Sequence, residues 1–177
     1  MKIFAGFFVV LFFAGCLESE HSRKPLIGDF IKSEMERLKS EKPMVTKIAI
    51  LSGKSDTIIT DSLDWSKELN VFLMNDLDSS QLVNYDGSFS KDSLSSGQFL
   101  EEHRYFADNG KEKIKGFEIK SLNGIIEYIE IVVQKKHELF TYYKKLIYNS
   151  KTGYDISGSQ NIKFIDGIDY KVTVNFK

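Results

Sequence analysis

Hydrophobic and polar positions follow two rhythms after residue 25. Ile27, Phe30, Ile31, Met35 and Leu38 recur at helical spacing, while Asp29, Lys32, Glu36, Arg37 and Lys39 fill the other face. The spacing predicts one amphipathic helix of about four turns, bracketed by the only two prolines. Pro25 suits its first turn, where a missing N–H costs nothing, and Pro43 stops it. The period then changes. Met44 to Leu51 alternates, Ser52-Gly53-Lys54-Ser55 reads as a turn, and Thr57 to Thr60 forms a second run, so a β-hairpin is expected. Asp61 or Ser62 could cap a second helix in which Trp65, Leu69, Phe72 and Leu73 share one face. Residues 75–97 are rich in Asn, Asp, Ser and Gly and read as a long loop, interrupted by a short strand near Leu82 to Tyr85.

Beyond the loop there is no proline, and six strand-like runs follow: about Gln98 to Ala107, Lys113 to Leu122, Ile125 to Lys136, Leu139 to Tyr148, Tyr154 to Phe164 and Tyr170 to Phe176. Asp108-Asn109-Gly110, Asn123-Gly124, residues 149–153 and Asp166-Gly167 have hairpin chemistry, because Asn and Gly tolerate the positive φ of a tight reversal. In the last run Tyr170, Val172, Val174 and Phe176 point one way, and Lys171, Thr173, Asn175 and Lys177 the other, so one face packs and one meets water. Ile125 to Val133 is more uniformly apolar than the other runs, which predicts a central strand covered on both faces, with the two helices as the cover. The expected fold is α+β: an antiparallel β-meander sheet with two amphipathic helices packed on it.

The start of the chain has a different pattern. Lys2 precedes an apolar run of about a dozen residues that ends in small side chains before Cys16, the pattern of a secretory signal. The run is shorter than the ~20 residues a helix needs to cross a bilayer. Removing residues 1–15 leaves a lipidated tether over 16–25 and a single domain over 26–177. Lys2 is the one charged residue removed, so 23 basic and 25 acidic side chains remain, a net charge of −2. No basic stripe is left for a phosphate backbone, which argues against nucleic acid as a partner. With 42% hydrophobic and 28% charged residues, the composition is that of an ordinary globular domain. One cysteine excludes an internal disulfide framework.

Phe13-Ala14-Gly15-Cys16 resembles the lipobox of bacterial lipoproteins. The resemblance implies cleavage before Cys16, diacylglycerol on its thiol and an N-acyl chain on its amine, with no other cofactor. Two or more acyl chains anchor stably where one binds marginally. Leu17 follows the cysteine in place of Asp, which by the same resemblance favours the outer membrane of a Gram-negative envelope over inner-membrane retention. The polar segment Leu17 to Lys24 is expected to serve as a flexible tether.

Motifs with chemical content are sparse. Gly53-Lys54-Ser55 follows a strand, as a phosphate loop would, but position 48 is Ile and a strand comes next, so a turn explains it better. His21, His103 and His137 lack partners at metal-binding spacing; only Glu101 and His103 could share a strand face. Asn75, Asp76, Asp78, Asn84 and Asp86 offer hard oxygen atoms without the calcium-loop pattern, which makes turn formation the simpler role and leaves no metal site. No nucleophile elbow or glycine-rich dinucleotide fingerprint is present, so no catalytic residue is assigned and a non-enzymatic role is expected. Tyr142, Tyr143 and Tyr148 are candidates for a binding surface, since tyrosine joins apolar area to a polar tip.

In plan, with its polar tether, the Trp65-Ser66-Lys67-Glu68-Leu69 helix and a C-terminal meander, the domain resembles small uncharacterised α+β lipoproteins of Gram-negative envelopes. Two functions fit. One is a binding or accessory module that contacts another envelope component. The other is a carrier of lipid or another hydrophobic ligand in a groove between sheet and helices, similar in plan to the lipoprotein-localisation proteins.

Overall fold

Among the residues that the computed structural model describes, 26–107 and 111–177, the chain forms two α-helices, a short 3-10 turn and nine strands in one antiparallel sheet. The leader, Cys16, His21, Pro25 and the Asp108-Asn109-Gly110 connector lie outside the described residues.

The first helix, α1 (Gly28–Glu41), buries Ile31, Met35 and Leu38. Its end is set locally: Lys42 adopts a left-handed conformation, its N–H donates to Leu38 O at 3.0 Å, and Pro43 prevents continuation. Its start is set from a distance, because the Asp76 carboxylate accepts the Ile27 N–H. The N-terminal hairpin is β1 (Val45–Leu51) and β2 (Lys54–Thr60), joined by Ser52 and Gly53, both at positive φ. The second helix, α2 (Trp65–Leu73), is capped by Asp64, whose side chain accepts from the Lys67 N–H, rather than by Asp61 or Ser62. Burial of Trp65 decides this: the cap must stand one residue before the first helical position.

The meander follows as β3 (Tyr85–Ser93), β4 (Phe99–Ala107), β5 (Ile114–Leu122), β6 (Ile125–Lys136), β7 (Phe140–Asn149), β8 (Gly153–Ile162) and β9 (Ile165–Phe176). The sheet order is β2-β1-β9-β8-β7-β6-β5-β4-β3, so the N-terminal hairpin docks on the last strand. Eight spacings of ~4.8 Å separate the edges, about 38 Å if the sheet were flat. The segment from Asp61 to Asn84, α2 included, is the connection between those edges.

Three expectations about strands need correction. Leu82 to Asn84 belongs to a 3-10 turn (Gln81–Asn84), and the strand after it runs to Ser93. As an edge strand exposed almost throughout, β3 is held by backbone pairing with β4 and has no need of the apolar alternation that marks an inner strand. The last hairpin turns at Lys163-Phe164 and not at Asp166-Gly167, so β9 begins earlier. Gly167 instead makes room for Asn161 at a bulge in β9, where Asp166 and Gly167 stand opposite that one residue and a Cβ on Gly167 would strike the Asn161 side chain. Finally, β6 is covered on one face only. Ile129, Ile131 and Val133 are fully buried beneath the helices, whereas Tyr128, Glu130 and Val132 line the open face.

Register fixes which residues share the covered face. Phe117, Ile131, Leu146, Ile156 and Val172 form one row across β5 to β9, and Ile119, Ile129, Tyr148, Tyr154 and Val174 form the next. Both helices lie on this face, with α2 meeting Phe176 through Trp65 and both tyrosines through Phe72, all edge to face. Gly153 closes the β7–β8 turn at φ +121, and a Cβ there would run into the Val174 carbonyl. Gly53 also has positive φ but faces open space. Gly153→Ala is therefore expected to cost on the order of 3 kcal/mol and Gly53→Ala about 1, a difference that urea denaturation would resolve. Equal costs at the two positions would contradict the close approach at β9.

Candidate functional site

Each helix inserts one carboxylate into its apolar stripe. Glu34 follows Ile27 and Ile31 and precedes Leu38, and Glu68 lies between Trp65 and Phe72, so helical spacing turns both toward the sheet. Tyr148 donates its hydroxyl proton to Glu34 at 2.5 Å, and Arg37 grips the same carboxylate through Nε and Nη2 at 2.9 and 2.8 Å. Tyr154 donates to Glu68, which also pairs with Lys47 of β1 at 2.6 Å. Tyr148 and Tyr154 are direct cross-strand neighbours, and Phe72 stands edge to face with both.

Burial pushes the Glu34 carboxyl up, but the hydrogen bonds from Arg37 and Tyr148 outweigh it and hold the pKa below the ordinary value. Burial and the adjacent carboxylates push the Tyr148 and Tyr154 phenols above theirs. Among the described residues no buried side-chain polar atom lacks a partner. The polar groups of the covered face are thus paired with one another or with the backbone.

The three tyrosines singled out from the sequence are not brought together. Tyr148 is fully buried under the helices and unavailable as a binding surface. Tyr142 shares its face, partly buried against the edge of the core, where its hydroxyl meets that of Tyr170. Tyr143 is on the opposite face, 37% exposed. Strand alternation separates Tyr142 from Tyr143, and helix cover removes Tyr148.

The accessible face of the sheet is the opposite one, and it carries a ladder of charge. Arg104 contacts Glu102 and Glu118; Lys120 contacts the same two carboxylates at 2.8 and 3.2 Å; Lys145 pairs with Glu130 at 2.8 Å. The Tyr128 hydroxyl donates to Glu130 at 2.6 Å. Glu118 and Glu130 stand directly opposite across β5 and β6, a like-charge pair that the surrounding cations offset. The Glu118 carboxyl, Lys120 and Arg104 hold Glu102 down at about 2. Such exposed pairs contribute little stability individually. Their effect is an ordered array of fixed donors and acceptors on β4 to β7, which is the candidate contact surface.

Other residues with candidate chemistry have structural roles. Gly53-Lys54-Ser55 begins at a two-residue hairpin turn and runs into β2. Glu101 and His103 do share a face, where Glu101 pairs with Lys91 at 2.7 Å and Phe89 packs on His103. Asn75 donates to Val71 O, Asp76 caps α1 and Asp78 accepts from the Ser80 and Gln81 N–H groups, so the acidic loop organises turns and a helix end. No cluster of three or more His, Cys, Asp or Glu suited to a metal ion occurs among the described residues. No helix among them is long and apolar enough to cross a membrane. No protein-family model, curated protein or solved structure matches the chain.

The titration of the covered layer has a definite sign. The stability that Glu34 contributes is present above its ordinary value of 4.5 and lost as pH falls through its lower folded value. Tyr148 and Tyr154 contribute fully below their ordinary value of 10.0 and lose that contribution as pH rises past it. Asp76, pushed up by burial, acts in the opposite sense to Glu34. Glu34→Gln is expected to flatten the acid limb of a stability–pH curve, and Tyr148→Phe to cost about 1–3 kcal/mol at neutral pH by leaving a buried carboxylate short of a donor. An acid limb unchanged in Glu34→Gln would contradict this assignment.

Proposed function

We propose that this chain is a lipid-anchored lipoprotein of a Gram-negative envelope, held at the outer membrane through Cys16, that works as a non-enzymatic binding or accessory module. The observation that carries the anchor is Phe13-Ala14-Gly15-Cys16 at the end of an apolar leader, with Cys16 the only cysteine in the chain. Diacylglycerol on its sulfur and an acyl group on its amine would tether the domain without embedding it.

The module reading is supported by how the two faces of the sheet are used. Trp65, Phe72, Tyr148 and Tyr154 fill the space between sheet and helices, where a carrier would need an open apolar groove. A cavity of about 530 Å³ lies where β5 begins and β6 ends, and it is lined by lysines, Glu112 and Gln134 rather than apolar side chains. Contacts with an envelope partner then fall to the open face, where Arg104, Glu118, Lys120 and Glu130 offer donors and acceptors in fixed register. An interface of this composition would be polar and sensitive to salt.

The test is metabolic labelling with palmitate in a Gram-negative host. The wild-type chain should be labelled and shortened by fifteen residues, and Cys16→Ser should be neither. Label on the Cys16→Ser chain, or none on the wild type, would remove the anchor. Native mass spectrometry of the protein extracted from its envelope then separates the roles: a stoichiometric protein is expected, and a co-purifying lipid held by the domain would favour the carrier.

A further inference from the structure

We propose that the β6–β7 and β8–β9 hairpin tips form a second, non-covalent membrane contact that seats the domain on an anionic phospholipid surface. Antiparallel connectivity brings both tips to one end of the sheet, and the Lys163 N–H joins them by donating to Leu139 O at 2.8 Å. The joined tips present Leu139, Phe164 and Ile165 to solvent, 58%, 93% and 66% exposed. Phe164 stands at φ +70, a conformation for which glycine or asparagine is the unstrained choice. A bulky ring held there without burial gains nothing from the domain's own packing.

The charge around the apolar tips has the sign an anionic bilayer requires. Lys163 Nζ lies 5.4 Å from the Phe164 ring centre, and Lys135 and Lys136 end β6 beside Leu139. The adjoining connection between β4 and β5 adds Lys111, Lys113 and Lys115, which line a cavity together with Lys135 and Lys136. Among the described residues of these three connections and the strand ends beside them, Glu112, Glu138 and Asp166 are the acidic side chains, so the basic ones predominate. An exposed aromatic tip with flanking lysines is the chemistry of interfacial binding, in which the ring enters the headgroup layer and the ammonium groups meet phosphate.

The chain enters the domain from a compatible direction. Arg37 donates to Ser150 O at the far end of the sheet, and α1 leads back from there toward Leu26, about 16 Å along the helix axis. The Leu26 N–H donates to Leu77 O, eight residues before Tyr85 opens β3 at the end that bears the tips. Ten residues from Cys16 to Pro25 reach at most ~35 Å, so an anchor on Cys16 keeps these tips within range of the same bilayer. The proposal rests on the anchored reading for the presence of that bilayer.

It is tested on residues 16–177 carrying Cys16→Ser, which retain the core described above and cannot be acylated on sulfur. With phosphatidylcholine vesicles containing 30% phosphatidylglycerol, sedimentation should show binding at least tenfold stronger than to phosphatidylcholine alone, weakened by salt. A lysine beside an anionic surface strengthens binding about fivefold, so Lys135→Glu/Lys136→Glu/Lys163→Glu should abolish the preference. Phe164→Ser should weaken binding about fivefold with unchanged thermal stability, and Phe164→Trp should shift its emission to the blue on anionic vesicles alone. No preference for anionic vesicles, or a preference indifferent to these variants, overturns the proposal. Vesicle binding with no palmitate label on the wild-type chain would remove only the anchor; label without vesicle binding would remove only the tip contact.

Discussion

Two phenol groups stand side by side on neighbouring strands, and each donates its proton to a carboxylate supplied by a different helix. Tyr148 meets Glu34 of α1, and Tyr154 meets Glu68 of α2, with Arg37 and Lys47 balancing the two charges. A carboxylate in the interior without such partners would cost several kcal/mol, so each helix has one favourable position on the sheet and few alternatives. Hydrophobic burial of Leu38, Leu69 and Phe72 supplies the larger driving force but is tolerant of sliding. The paired hydrogen bonds fix the register of helix against strand, and Phe72 between the two rings ties both pairs into one unit.

The division of labour between the faces follows from that arrangement. With both helices committed to one side, the other side of a nine-stranded sheet is left to water and is furnished with alternating charge. Order on the open face is inherited from strand register, which the packed face maintains. The ends of the sheet differ in turn, because long hairpins project Phe164 and Leu139 past the shorter β1–β2 pair. The domain built this way has a packed face, a charged open face and an end that exposes Phe164 beside Lys163.

Much of the fold was legible where apolar residues repeat. The stripe from Ile27 to Leu38 marks α1, and the run from Ile125 to Lys136 coincides with β6. Legibility failed where structure depends on something distant in sequence. The pairing that makes β3 is a property of β4, and the Asp76 cap of α1 comes from 49 residues away. The turn at Lys163-Phe164 was hidden because Asp166-Gly167 has better turn chemistry but serves a bulge. Tyr148 was misread as surface because a tyrosine strand looks alike whether covered or open. A signal did exist in the helices: Glu34 and Glu68 occupy positions in their apolar stripes, and a buried carboxylate requires a donor opposite. The charged open face gave no comparable sign, since its residues are distributed over four strands and meet only through register.

Amide hydrogen exchange under native conditions tests most directly whether the tyrosine–carboxylate pairs bind helices and sheet into one cooperative unit. Amides in the middle of α1, α2, β7 and β8 should share a single free energy of opening, and Tyr148→Phe/Tyr154→Phe should lower all four together. Helix amides that exchange by a separate, easier opening while β7 and β8 keep their full protection would contradict it.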